Sequence, residues 1–143
     1  MMRRPKEALE QLTAILEDLE TRPEDVVLLV EGKRDRGAMN LLGVWGEIIQ
    51  VQTSDGILGI ADDLALRKKK AIILTDWDRK GGQLCLLLRN ALKANDVEFD
   101  AVTRSRLVHV VGGEIKDVES LPSFFSRLVA QVEGPAAEQG RSD

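Results

Sequence analysis

The chain has no tyrosine, one cysteine and one histidine, and its aromatic side chains come to two Trp and three Phe. A single Cys excludes an internal disulfide and fits a reducing cytoplasm. So few rings offer no platform on which bases would stack. No apolar run approaches the roughly 20 residues of a membrane span, so no membrane association is expected. The opening Met-Met-Arg-Arg-Pro-Lys-Glu carries bases with no apolar segment behind them, unlike a signal peptide. Excess positive charge is missing too: the net charge is −4 and the pI about 5.1. That argues against coating nucleic acid through bulk charge, while leaving room for a local basic patch beside an acidic site.

What is present suits one globular domain. The 143 residues are 43% hydrophobic, enough for a sizeable core. Leu9, Leu12, Ile15, Leu16 and Leu19 recur at helical spacing and predict an amphipathic helix over 5–20, with Pro5 in its first turn. Strands are predicted at 26–31, 47–51, 71–75 and 99–102, with a short edge strand at 107–111. Helices are predicted at 33–42, closed by Gly43, and at 57–67, 83–95 and 121–132, the last capped by Ser120. Residues 133–143 read as a frayed tail. Strands alternating with helices imply an α/β fold with a mainly parallel sheet. In the order 2-1-3-4, the first and third strands are neighbours and a ligand binds at their carboxyl ends.

Both of those strands end in acid. The run 72–82 reads Ile-Ile-Leu-Thr-Asp-Trp-Asp-Arg-Lys-Gly-Gly, and 26–31 ends in Glu31, followed by Gly32-Lys33-Arg34-Asp35. Strand alternation would point Asp76 and Asp78 one way and Trp77 the other, making Trp77 a packing residue. Two like charges held that close repel unless something positive lies between them, and a hard cation with oxygen ligands is the usual answer. Asp35, four residues past Glu31, reads equally as an outer ligand or as an acid complementing a helix N-terminus. Lys33, Arg34, Arg79 and Lys80 flank the acids and suit arriving phosphates. Gly81 and Gly82 let backbone approach a ligand or turn sharply. Arg104 and Arg106 follow the fourth strand, near the same edge. Arg67-Lys68-Lys69-Lys70 lies at the opposite end and reads as a solubilising loop rather than an RNA-binding patch. His109 suits a structural or surface role, and Cys85 packs in a hydrophobic helix.

Val30-Glu31-Gly32-Lys33-Arg34-Asp35 and Asp76-Trp77-Asp78-Arg79-Lys80-Gly81 resemble the two signatures of the toprim domain. That domain occurs in bacterial-type primases, topoisomerases of types IA and II, OLD-family nucleases, recombination-repair proteins and a ribosomal-RNA maturase. The resemblance spans roughly residues 26–105, with the half-motifs about 45 residues apart, as a βαβαβ unit allows. The Glu-Gly-Lys-x-Asp variant is most similar to the maturase and to small stand-alone toprim proteins of archaea and bacteria.

The resemblance implies a three-layer Rossmann-like fold at 26–132, with 1–25 packing on or extending it and 133–143 flexible. It also implies Mg²⁺-dependent phosphodiester chemistry on RNA or DNA, with one or two ions and Mn²⁺ as a substitute. Glu31 matches the family's acid/base or metal ligand. Asp76 and Asp78 match the metal-holding pair, with Asp35 as a further ligand. Gly81 matches the family glycine, grouped with Lys33, Arg34, Arg79 and Lys80 as phosphate contacts, and Lys33 would steady the scissile phosphate. Gly82 and Gln83 replace the acid common after that glycine, which weakens the case for a second metal. Without Tyr there is no topoisomerase nucleophile. The alternative is a metal-dependent binding module that acts with a partner and without turnover. A phosphate-transfer receiver shares the sheet order but not this motif pair. A homodimer through the N-terminal helix is a further expectation.

Overall fold

Short aliphatic runs that cannot satisfy their backbone alone pair into one parallel sheet of order β2-β1-β3-β4. The computed structural model describes residues 4–142. The strands are β1 Val26–Val30, β2 Ile48–Gln50, β3 Lys70–Ile73 and β4 Phe99–Asp100. Leu28 of β1 stands opposite Ile48 on one side and Ile72 on the other. The helices are α1 Pro5–Glu20, α2 Lys33–Leu41, α3 Gly56–Leu66, α4 Arg79–Ala94, α5 Val102–Val111 and α6 Leu121–Ser142. This is the expected three-layer α/β fold and strand order.

The pleat divides the core in two. Leu28, Val30, Ile72 and Leu74 face a cluster built with α1, α2, α5 and α6. Val27, Leu29, Ala71 and Ile73 face a second cluster built with α3 and α4. Strands buried on both faces need continuous apolar runs, as these have. The apolar stripe of α1 lies inside the first cluster, with Leu12, Ile15 and Leu19 almost fully buried. Cys85 is buried in the second. No helix among the described residues is long and apolar enough to cross a membrane.

Several boundaries differ from expectation. Residues 107–111 are not an edge strand but the second half of α5. Thr103, Leu107, Val110 and Val111 are buried along one helical face, while Val108 and His109 are exposed. α5 ends where Gly112 takes the left-handed conformation, φ 56°. α4 begins at Arg79, four positions before the expected Gln83, and takes Gly81 and Gly82 into its first turn. α6 continues to Ser142 through most of the expected tail; Asp143 lies outside the described residues. At the start of α6, the Ser120 carbonyl accepts from the Phe124 amide. The Ser120 amide donates to Asp117 Oδ1.

Candidate functional site

Parallel strands that neighbour one another end at the same edge, and here β1 and β3 bring acids there. Glu31 follows Val30 directly and keeps only 7% of its surface exposed. A carboxylate buried to that degree needs a donor. The donor comes from the other strand: the Asp76 amide donates to Glu31 Oε2 at 2.8 Å. The Asp76 side chain is half-buried, and its Oδ1 accepts from the Val118 amide at 2.9 Å. Asp35, equally buried, accepts from the Gly32 amide at 3.0 Å and closes the first turn of α2.

These acids repel one another. Burial pushes the Asp76 carboxyl up to about 7; the Val118 N–H opposes this, and the charges of Asp35, Glu31 and Asp117 add to it. Burial likewise raises Asp35; the Gly32 N–H opposes it, and Glu31, Glu119 and Asp117 reinforce it. Burial and neighbouring acids together thus make full ionisation of this edge unfavourable. The donor set is all oxygen, the kind a hard divalent cation takes.

Asp78 goes elsewhere. β3 ends at Ile73, so the strand alternation expected to align Asp78 with Asp76 has already stopped. The chain bends at Trp77 and Asp78, and Asp78 Oδ1 accepts from the Gly81 amide at 2.7 Å as the cap of α4. No group of three or more His, Cys, Asp or Glu among the described residues could hold a metal ion. The expected convergence of Glu31, Asp76 and Asp78 is therefore reduced to Glu31 and Asp76. That pair still suits Mg²⁺, which keeps several waters and takes one or two protein carboxylates plus substrate phosphate.

The glycine has a packing reason. A side-chain carbon on Gly81 would overlap the Asp76 carbonyl. Its own carbonyl accepts from the buried Thr75 hydroxyl at 2.8 Å. With its amide on Asp78 and its backbone buried, Gly81 offers no N–H to a phosphate, contrary to its expected role. Gly81 instead locks the first turn of α4 onto the end of β3.

Lys33 and Arg34 open α2, Arg79 and Lys80 open α4, and all four are exposed. Arg34 lies 3.6 Å from Glu119, an exposed pair of little energetic weight. Trp77 packs on the α1/α6 side of the core, and its Nε1 donates to the Ile115 carbonyl at 2.7 Å. Of the two later arginines, Arg104 reaches the edge and Arg106 pairs with Asp18. At the far end of the sheet Arg67 pairs with Glu47 and Asp63, and Lys70 with Glu98. A crevice of about 460 Å³ also lies at that end, between α1, α5 and the strand starts, away from the acids.

The α5–α6 loop carries residues that local sequence did not single out. Asp117 adds charge to both Asp76 and Asp35. The Trp77 amide donates to Lys116 O at 3.0 Å, and Asp76 holds Val118. The acids at 117 and 119 were visible, but nothing local told that this loop folds back over β3.

The Toprim domain family model matches residues 8–107. The chain belongs to the toprim family. A UPF0292 protein of Methanocaldococcus jannaschii is 32% identical over 125 residues, covering 87% of this chain and 97% of that protein. One of Methanosarcina barkeri is 31% identical over 124 residues, 86% of either chain. One of Thermococcus kodakarensis is 37% identical over 103 residues, 72% of this chain and 76% of its own. A solved structure of a protein from Aquifex aeolicus superposes with TM-score 0.63 at 23% identity, covering 76% of this chain and 95% of that one, and supports the toprim fold. Toprim domains as a class process nucleic acids with the help of a divalent metal, typically Mg²⁺.

Proposed function

We propose that this toprim protein carries out Mg²⁺-dependent phosphodiester chemistry on nucleic acid at the edge formed by Glu31 and Asp76. The observation that carries this reading is the 2.8 Å bond from the Asp76 amide to Glu31, which joins the acid ends of two adjacent strands. Glu31 and Asp76 would hold the metal, with Asp35 behind them. Bound there, the ion supplies Lewis-acid stabilisation of charge on the phosphate oxygens. Glu31 would hold or move a proton. Lys33 would steady the scissile phosphate, and Arg34, Arg79 and Lys80 would draw the backbone to the edge. α2 and α4 both begin here, so their positive N-terminal ends also favour phosphate.

A specific observation supports the second reading, metal-dependent binding without turnover: Asp78 is committed to capping α4. A homodimer through α1 would have to use its polar face, since its apolar stripe is spent within the chain. The test is incubation with labelled single- and double-stranded RNA and DNA, with and without Mg²⁺. The expected result is cleavage that is lost in Glu31→Gln and Asp76→Asn with folding intact. Mg²⁺-dependent binding with no cleavage across these substrates would favour the binding module. Full activity in both variants would refute the assignment.

A further inference from the structure

The sheet runs out before the acids begin, and one side chain takes over its work. β4 is two residues long, and its pairing with β3 ends at Ile72–Asp100. In a parallel sheet successive residues turn their peptide groups to opposite neighbours. Ala71 donates toward β4, to Glu98 O, and Leu74 toward β1, to Leu29 O. Thr75 therefore turns toward the β4 side again, where no strand remains. Thr75 is fully buried, and a buried carbonyl without a donor is costly. The donor is Arg104, from the first turn of α5: its Nε donates to Thr75 O at 3.0 Å and its Nη2 to Asp76 O at 2.6 Å. The Asp76 residue is thus held at its amide by Glu31 from one side and at its carbonyl by a guanidinium from the other. The rigid two-pronged fork suits adjacent carbonyls as a single ammonium does not.

We propose that Arg104 is the positioning residue of this edge: it stands in for the strand that β4 does not provide and fixes the Asp76 peptide, so that the carboxylate is presented beside Glu31. This rests on the reading that Glu31 and Asp76 bind a divalent cation. Outer partners of metal ligands matter at about ten- to hundredfold in metal affinity, and Arg104 acts through Asp76 in that way.

The test uses the full chain with Arg104→Gln and Arg104→Lys, read by Mn²⁺ titration followed by electron paramagnetic resonance and by hydrogen exchange at single amides. In Arg104→Gln, Mn²⁺ binding is expected to weaken about ten- to hundredfold. The Asp76 amide should exchange faster while the Leu74 amide, one step inside the sheet, keeps its rate. Arg104→Lys should recover part of both effects. Wild-type or tighter Mn²⁺ affinity in Arg104→Gln overturns the proposal, tighter binding being what loss of a nearby positive charge alone would give. Weakened binding with an unchanged Asp76 amide overturns it too, since the Asp76 peptide would then not be what Arg104 holds. If Arg104→Gln fails to fold, Arg104→Lys decides on the same two readouts. A wild-type chain that binds no Mn²⁺ overturns the metal reading and this proposal with it, and that control separates the two failures.

Discussion

Gly81 lies against the carbonyl of Asp76 so closely that no side-chain carbon fits between them. The contact couples the first turn of α4 to the acid at the end of β3, and backbone cannot yield as a flexible side chain would. Gly81→Ala is therefore expected to lower stability by about 1–3 kcal/mol, the usual range for overpacking. It should also weaken metal binding by moving Asp76. Denaturant unfolding and a Mn²⁺ titration check both effects. Gly82, where an added carbon meets nothing, is the control: Gly82→Ala should leave Mn²⁺ affinity unchanged.

Asp78 separates a cap from a ligand. If its work is the bond to the Gly81 amide, Asp78→Ala loses about 0.5–2 kcal/mol of stability, whereas Asp78→Asn, a comparable cap, loses little. Asp78→Asn should then keep Mn²⁺ affinity close to wild type while Asp76→Asn does not. A large affinity loss in Asp78→Asn would mean that this carboxylate turns from the helix to the metal.

The pH dependence of stability follows from Asp76. Its carboxyl is raised from an ordinary 3.8 to about 7, by burial first and then by the neighbouring acids. Between those values the folded chain keeps a proton that the unfolded chain has released. Stability without metal should therefore fall as pH rises from about 4 to about 7. Chemical denaturation in a chelator, across that range, measures it. Asp76→Asn should flatten the dependence, and added Mg²⁺ should restore stability at the upper end.

Much of this was legible in the sequence because it is carried by local pattern. The runs ending at Val30 and near Leu74 are aliphatic throughout, which marks strands buried on both faces, and the order of helices between them set the sheet order. Glu31 and Asp76 were legible as partners because adjacent parallel strands end together. What was missed depends on tertiary contacts. The run 107–111 is β-branched enough to read as a strand, yet Thr103, Leu107, Val110 and Val111 share a helical face against the core. Gly81 and Gly82 read as loop because glycine disfavours helices, but the approach of Asp76 requires a glycine inside α4. Asp78 follows Asp76 too soon after the strand end for alternation to govern it. Asp117 reaches the edge only because the loop after α5 folds back over β3, whereas Arg104 was legible near that edge from its place after the fourth strand, though not its bonds to the Thr75 and Asp76 carbonyls.

Removing a positioned general acid or base commonly costs about 10²–10⁴-fold in rate. Glu31→Gln should show a loss of that size in Mg²⁺-dependent cleavage with an unchanged unfolding midpoint. Lys33→Ala should cost less and act more on substrate affinity, measured as KM.

The most direct measurement is the anomalous scattering of crystals soaked in Mn²⁺. One strong peak is expected between the carboxylates of Glu31 and Asp76, lost in crystals of Asp76→Asn. An empty edge in soaked crystals, or a peak that engages neither acid, would contradict the metal reading.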